Sequence, residues 1–166
     1  QSATGSLLET MEELLLWSKT QMNQFKTDMQ PVFVEDVVSE CFKLLQLNID
    51  ARNLDVTISL EPGAKVKSDP YFLQTILRNL LQNAIKSSPQ NAKLVLTYAN
   101  HKLTIENEGG HFSQQQYEIL LASKEDKNSL SGLGLRLVDE LSRKIDAEVR
   151  FEPAPVDTTH TAIYFR

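Results

Sequence analysis

The run KLVLTYANHKLTIEN, Lys93 to Asn107, limits the folds open to this 166-residue chain more than any other stretch. Leu94, Leu96 and Tyr98 recur at every second position, and Leu103 and Ile105 resume the pattern after Asn100-His101. Period-two alternation broken by a short polar turn predicts a β-hairpin with one apolar face. That face needs a cover, so the remaining segments must supply amphipathic helices packed on one side of a sheet.

Those helices are legible. Val34, Val37, Val38, Cys41, Phe42, Leu45 and Ile49 form a stripe at helical spacing, predicting a helix from about Val34 to Arg52. "LDVTISL" alternates Leu54, Val56, Ile58 and Leu60 and reads as a half-buried strand, with "EPGAK" as the turn after it. "SDP" opens another helix, with Ser68 or Asp69 as cap and Pro70 in the first turn, ending near Ser88-Pro89. Ser113 and Gln116 form a capping-box pair for a short helix through Leu121. After the aperiodic polar stretch "ASKEDKNSLSG", "LGLRLVDELSRKI" is read as a helix burying Leu135, Val138, Leu141 and Ile145. "EVRFEP" and "TAIYFR" are the last two strands. Five mostly hairpin-connected strands, with three helices over one face, make an α+β two-layer sandwich.

Ahead of it, Leu8, Met11, Leu15, Ser18, Met22, Phe25 and Met29 are spaced three and four apart. This heptad seam predicts one long helix over residues 7 to 29, read either as an amphipathic helix on its own domain or as one arm of a helical dimer. Gln30-Pro31 ends it. The opening "QSATGS" is small and polar and reads as a vector-derived tail. The organisation expected is 1–6 as tail, 7–30 as helical arm and 31–166 as globular domain.

With 17 Lys and Arg against 22 Asp and Glu, the formal charge is −5, which leaves no basic footprint for a nucleic acid. A polyanionic ligand must then meet local donors. Cys41 is the only cysteine, so no internal disulfide forms. No H-x₃-H or cysteine cluster suggests zinc. The longest apolar run, Leu14 to Trp17, is too short for a membrane segment, and no signal-peptide pattern is visible.

"LRNLLQNAIKSS", Leu77 to Ser88, sets polar residues among core leucines. On a helix turning about 100° per residue, Asn83 falls about 40° to one side of Asn79 and Lys86 about 20° to the other. Such a stripe, two amides and one cation beside the core face, suits a hydrated Mg²⁺ ion and phosphate oxygens; it suits a solvated helix surface equally well. Two further features bear on the choice. "SGLGLRLV" sets Gly132 and Gly134 at the start of a helix, where free N–H groups attract anions. "TIENEGG" ends a strand in Asn107 above the turn Gly109-Gly110, where a polar side chain can read an adenine edge.

In that order, these segments resemble the ATP-binding domain of sensor histidine kinases, of the GHKL superfamily. "NLLQNAIKSS" is similar to its N box and "GLGL" (Gly132 to Leu135) to its second glycine box, over about residues 31 to 166. "LLETMEELLLWSKTQ" is similar to the second helix of the dimerisation and phosphotransfer domain of such kinases. The resemblance implies the Bergerat fold, a sandwich of a mixed, largely antiparallel sheet and three helices. It implies ATP and Mg²⁺ as ligands, a homodimer through residues 7–29, a response regulator as partner and a cytoplasmic location. By it, Asn83 would be a Mg²⁺ ligand, Asn79 would support metal and phosphates, and Lys86 would contact phosphate. Asn107 and Gly109 would line the base end, and Gly132, Leu133, Gly134 and Leu135 the phosphates and nucleotide. Ala122 to Ser131 would be the ATP lid, from which Lys124 or Lys127 would reach the γ-phosphate.

The chain departs from the family pattern in places. Asn107 stands where the family usually has the aspartate that binds the adenine amino group, and His111 replaces the second glycine of the first glycine box. Leu130 stands where the second box often begins with glycine, and the family's aromatic segment before the lid is not visible. None of His101, His111 and His160 lies on a predicted helix with an H-box pattern, so the phosphoacceptor is expected on a helix ahead of residue 7. The chain alone is then not expected to autophosphorylate. Superfamily ATPases place a glutamate near the Asn79 position to activate water, and an amide cannot serve as that base. The expected role is phosphoryl transfer from ATP to a protein histidine. The alternative is a degenerate module of the same fold, with weak or no ATP binding, acting in dimerisation and signalling.

Overall fold

The structure is a computed structural model describing residues 26–123 and 132–166, together with Met11, Leu14, Leu15 and Ser18, which are helical. Strand β1 (Gln30–Phe33) leads into α1 (Val34–Ala51). Strands β2 (Asp55–Leu60) and β3 (Lys65–Ser68) precede α2 (Pro70–Ser87). The hairpin β4 (Lys93–Ala99) and β5 (Lys102–Glu108) follows, then α3 (Gln114–Ala122), α4 (Leu133–Lys144), β6 (Ala147–Glu152) and β7 (Thr158–Phe165).

The main sheet has five strands in the order β2-β4-β5-β7-β6. β2 lies parallel to β4 and every other pair is antiparallel, the mixed and largely antiparallel arrangement expected. Asn100 and His101 make the hairpin turn with φ of 52° and 63°, left-handed at both positions, which matches the twist of the flanking strands. The register sets Leu94, Leu96 and Tyr98 on the same face as Ile105 and Leu103. All five are buried in the one core that also takes α1, α2 and α4. The opposite face carries half-exposed polar side chains such as Lys102, Thr104, Glu106 and His160. The molecule is therefore two-layered, and α3 is a fourth, short helix beside α4 and β6.

Local chemistry explains the boundaries. Asp69 caps α2, its carboxylate accepting from the N–H groups of Tyr71 and Phe72 at 3.0 and 3.1 Å, with Pro70 next. Ser113 and Gln116 complete the reciprocal capping box of α3. Gly132 opens α4 at a φ of +74°.

Three expectations need correction. Gln30-Pro31 and the residues after "EPGA" are not a helix end and a turn alone. They form the short antiparallel ribbon β1–β3, in which Val32 pairs with Val66 and both are buried. Four-residue strands carrying Pro31 or two lysines give little periodic signal, and a proline is tolerated because β1 is an edge. Residues 26–29 are not helical, so the expected arm does not run to Met29. The Asp28 N–H donates to the Asp69 carboxylate at 2.9 Å, and Met29 packs against the core. Leu8, Met22 and Phe25 of the seam lie outside the described residues; Met11, Leu14 and Leu15 are exposed. Within α4, Leu137 is fully buried, whereas Leu135 is half-buried at the rim of a cavity.

Candidate functional site

A cavity of about 550 Å³ opens between α2, the loop after β5 and the start of α4. Its floor is the end of the sheet. Asn107 pairs in register with Thr159, and Thr161 with Phe151, so these four core-face positions sit side by side. Asn107, Thr159 and Thr161 are buried polar residues in an otherwise apolar layer. Buried polar groups are kept where they find partners, so three together at a cavity floor mark a surface built for a ligand.

From α2, Asn79, Asn83 and Lys86 all reach the cavity, at different depths. Asn79 is buried, and its Nδ2 donates to the Thr75 carbonyl at 2.7 Å. The helix thus uses one of its two N–H donors and leaves the amide oxygen and the second N–H as what Asn79 offers. Asn83 and Lys86 are exposed, Asn83 makes no hydrogen bond and Lys86 no ion pair among the described residues. Among the described residues no carboxylate lines the cavity, and Lys86 is the one lining side chain with a permanent positive charge. The local field favours an anion although the whole chain is acidic.

Opposite, Gly132, Leu133, Gly134 and Leu135 line the cavity as expected positions. The first intrahelical bond of α4 is from the Arg136 N–H to the Gly132 carbonyl at 3.1 Å. The N–H groups of residues 133–135 are therefore free of intrahelical partners and add the positive end of the helix dipole. Gly132 packs on α3, where a Cβ would come within 2.7 Å of Leu120 Cδ1.

Asn107 donates from Nδ2 to the carbonyls of Glu108 and Gly109, at 3.3 and 3.1 Å. Its amide is thereby oriented, and its oxygen accepts no hydrogen bond among the described residues. Gly109 is not among the lining residues. With φ +89° it packs against the last turn of α2, where a Cβ would overlap the Ser87 carbonyl. Gly110 takes the lining position next to it. His111 stands exposed at the mouth, its Nδ1 3.2 Å from the Thr158 carbonyl. Lys124, Lys127 and Ser131 lie outside the described residues.

Sequence reasoning missed Phe112, Phe151, Thr159 and Thr161, all lining residues. Thr159, Thr161, Ile163 and Phe165 alternate along β7, so the core-face period was available as a signal, but nothing in it says that the face continues into a cavity. Phe112 and Phe151 are 39 residues apart in sequence and meet only through the fold. Behind them Tyr117 packs on Phe151, its hydroxyl buried without a hydrogen-bond partner among the described residues and its phenol pushed well above the usual range by burial.

A donor set of amide oxygens, with no carboxylate among the described lining residues, fits a metal that keeps most of its waters and reaches the protein through one or two oxygens. No group of three or more His, Cys, Asp or Glu side chains able to hold a metal occurs among the described residues. Such an arrangement can take an anion together with a hydrated cation.

The family profile described as "Histidine kinase-, DNA gyrase B-, and HSP90-like ATPase" matches residues 68–166. Sensor protein EvgS of Escherichia coli K12 is 27% identical over 176 residues, covering 96% of this chain and 15% of EvgS. Sensor histidine protein kinase HK06 of Streptococcus pneumoniae D39 is 30% identical over 155 residues, covering 86% of this chain and 33% of HK06. The chain thus spans a third or less of either relative. Full-length ShkA, solved in complex with AMPPNP, superposes with a TM-score of 0.77 at 18% identity, over 96% of this chain and 35% of ShkA; at that identity the likeness is one of fold. With the profile matching more than half of its length, this chain belongs to the histidine kinase-, DNA gyrase B- and HSP90-like ATPase family.

Proposed function

We propose that residues 31–166 form the ATP-binding catalytic domain of a two-component sensor histidine kinase, holding Mg–ATP and giving its γ-phosphoryl group to a histidine on a dimerisation helix outside this chain. The observation that carries the reading is the meeting of Asn79, Asn83 and Lys86 with the open N-terminus of α4 across one cavity that no carboxylate lines among the described residues. Magnesium would supply charge neutralisation at the phosphates. Asn83 is the ligand we assign to it, with the Asn79 oxygen behind. Lys86 and the N–H groups of Leu133, Gly134 and Leu135 would meet phosphate oxygens. The Asn107 oxygen, held as an acceptor, would take a hydrogen bond from the adenine amino group. Lys124 and Lys127 remain our candidates for the γ-phosphate.

This machinery binds and orients; in phosphoryl transfer, positioning and charge stabilisation provide most of the catalysis. The nucleophile comes from elsewhere. His101 is in the hairpin turn, His111 is at the cavity mouth, and His160 is on β7, 3.9 Å from Glu106, so none is on a helix. We assign residues 7–30 to the dimerisation arm, with a second copy of the chain as partner, a response regulator as the recipient for the full-length protein, and the cytoplasm as its place. No helix among the described residues is long and apolar enough to cross a membrane. Of the curated relatives, HK06 is a sensor histidine protein kinase by name and EvgS a sensor protein, and none of the observations favours the degenerate alternative.

The test is titration with a fluorescent ADP analogue, with and without Mg²⁺. Saturable, Mg²⁺-dependent binding that is lost in Asn83→Ala is expected. No saturable binding at millimolar nucleotide would overturn the proposal.

A further inference from the structure

We propose that the free edge of β2, with the groove between it and α1, docks a second copy of this chain, β2 pairing antiparallel with β2 about a two-fold axis at Ile58. The inference is independent of the nucleotide reading, and the surface is separate from the arm at 7–30.

The edge is open to a strand. β2 ends the sheet, and no strand among the described residues pairs with its outer side. The N–H groups of Asp55 and Glu61 donate inward, to the carbonyls of Ala92 and Tyr98 at 2.9 and 3.2 Å. Backbone groups alternate sides along a strand, so Val56, Ile58 and Leu60 present their N–H and C=O groups to the open edge. Exposed edges are ordinarily guarded by lysine, proline or a bulge. The segment DVTISL has no lysine or proline, and its register with β4 runs unbroken from Asp55 to Leu60.

The same three side chains lie on the core face, yet the core does not cover them fully. Val56, Ile58 and Leu60 pair in register with Leu94, Leu96 and Tyr98, all buried, whereas Ile58 is 44% exposed. Ile58 and Leu60 line a groove of about 780 Å³ together with Val38 and Phe42 of α1. An apolar groove beside an unguarded edge suits a strand that brings apolar side chains of its own.

Charge selects a second copy as that strand's source. The Val34 N–H donates to the Ala64 carbonyl at 3.0 Å and the Leu54 N–H to the Ile49 carbonyl at 3.2 Å, so α1 and β2 run antiparallel. Glu35 and Glu61 thus share one end of the groove, and Lys43 lines it about two helical turns further along. Within its own chain Lys43 meets Glu40 at 3.4 Å, an exposed pair of little strength. Rises of about 1.5 Å per helical residue and about 3.3 Å per strand residue, counted from the Leu54–Ile49 bond, put Ile58 level with about residue 40 of α1. A two-fold axis there sets Lys43 opposite about residue 37 of the second copy, within a lysine's reach of its Glu35, and the reverse contact forms by symmetry. The pleat fixes the register. A slip by one residue would set core-face side chains against open-face ones, so Ile58 pairs with Ile58 and Val56 with Leu60.

The experiment is analytical ultracentrifugation of the chain over a concentration series, with amide hydrogen exchange read by NMR at the same concentrations. An association step is expected in which the N–H groups of Val56, Ile58 and Leu60 become protected, while those of Thr57 and Ser59, bonded to β4, are protected throughout. Lys43→Glu should weaken that step about 10-fold. Lys43→Glu combined with Glu35→Lys should restore it, because the pair re-forms with its signs exchanged. Ile58→Lys should abolish it, with thermal melts confirming that each variant is folded. Edge amides that stay unprotected at millimolar chain overturn the inference and leave the groove to a partner of another kind. An association step that Lys43→Glu and Ile58→Lys both leave unchanged also overturns it, since the step would then belong to another surface such as the arm. Failure of the double variant to recover overturns it as well, because the two-fold arrangement requires that pair.

Discussion

Gly109 lies so close to Ser87 that a Cβ at position 109 would overlap the Ser87 carbonyl oxygen, with Pro89 Cδ also in the way. This contact presses the loop after β5 against the end of α2 and brings Asn107 and Gly110 to the same cavity as Lys86. The backbone there has a φ of +89°, outside what L side chains adopt without strain. Gly109→Ala should therefore lose about 3 kcal/mol of stability, from strain and overlap together. Urea denaturation checks this, and a midpoint within error of the parent would show that the loop relaxes freely.

Arg52 clamps the same helix end from the other side. Its Nη1 donates to the Ser88 carbonyl at 2.7 Å, and its own carbonyl accepts from the Asn91 N–H at 2.9 Å. The guanidinium meets the negative end of the α2 dipole, where a cation is favourable. Arg52→Ala should destabilise by about 1–3 kcal/mol, the range for a hydrogen bond to a charged group, and Arg52→Lys by less. Thermal melts of the three proteins decide it; an unchanged midpoint for Arg52→Ala would mean that the Ser88 carbonyl is satisfied by water.

Cys41 is fully buried on α1, and burial pushes its thiol up to about 12, with the nearby Arg78 charge acting the other way. Thiolate is the reactive form, so the native protein should resist a thiol reagent at pH 8 and react fully once unfolded in guanidinium. Fast reaction of the folded protein would contradict the packing of α1 on α2.

On the open face of the sheet, Lys102 Nζ lies 2.6 Å from Glu152 Oε1. The hydrogen bond from Lys102 holds the Glu152 carboxyl below its ordinary value of 4.5, and the same bond raises Lys102 above 10.5. Glu152 titrates lower in the fold, so its contribution is present above pH 4.5 and is lost as pH falls through the depressed value. Lys102 titrates higher, so its contribution is present below pH 10.5 and is lost as pH rises beyond. Both side chains are about one-third exposed, which limits the pair to about 1 kcal/mol or less. Glu152→Gln should flatten the acid limb of a stability–pH curve by that amount; an unchanged limb would remove the pair as its cause.

The sequence conveyed the main sheet, α1, α2, α3 and α4 because each carries a long period or a cap: the alternating hairpin, the α1 stripe, Asp69-Pro70, the Ser113–Gln116 box. It did not convey the β1–β3 ribbon, whose register depends on a partner more than 30 residues away and whose lysines mask the alternation. For the site, types and spacing singled out Asn79, Asn83, Lys86, Asn107 and the Gly132–Leu135 turn. What spacing cannot show is depth. Asn79 is buried with one amide N–H bonded to Thr75, Asn83 is exposed on the same stripe, and Gly109 packs where Gly110 lines. Phe112, Phe151, Thr159 and Thr161 escaped because each looks like an ordinary core position until the sheet end and the α4 start are brought together.

The most direct measurement is a ¹⁵N–¹H correlation spectrum of the chain titrated with Mg–ADP. Saturable shifts centred on Asn79, Asn83, Lys86, Asn107, Gly110, residues 132–135 and the other residues lining that cavity are predicted, collapsing on chelation of the metal. Shifts that never saturate, or that cluster instead along the groove between α1 and β2 around Phe42 and Ile58, would contradict a nucleotide seated between α2 and the start of α4.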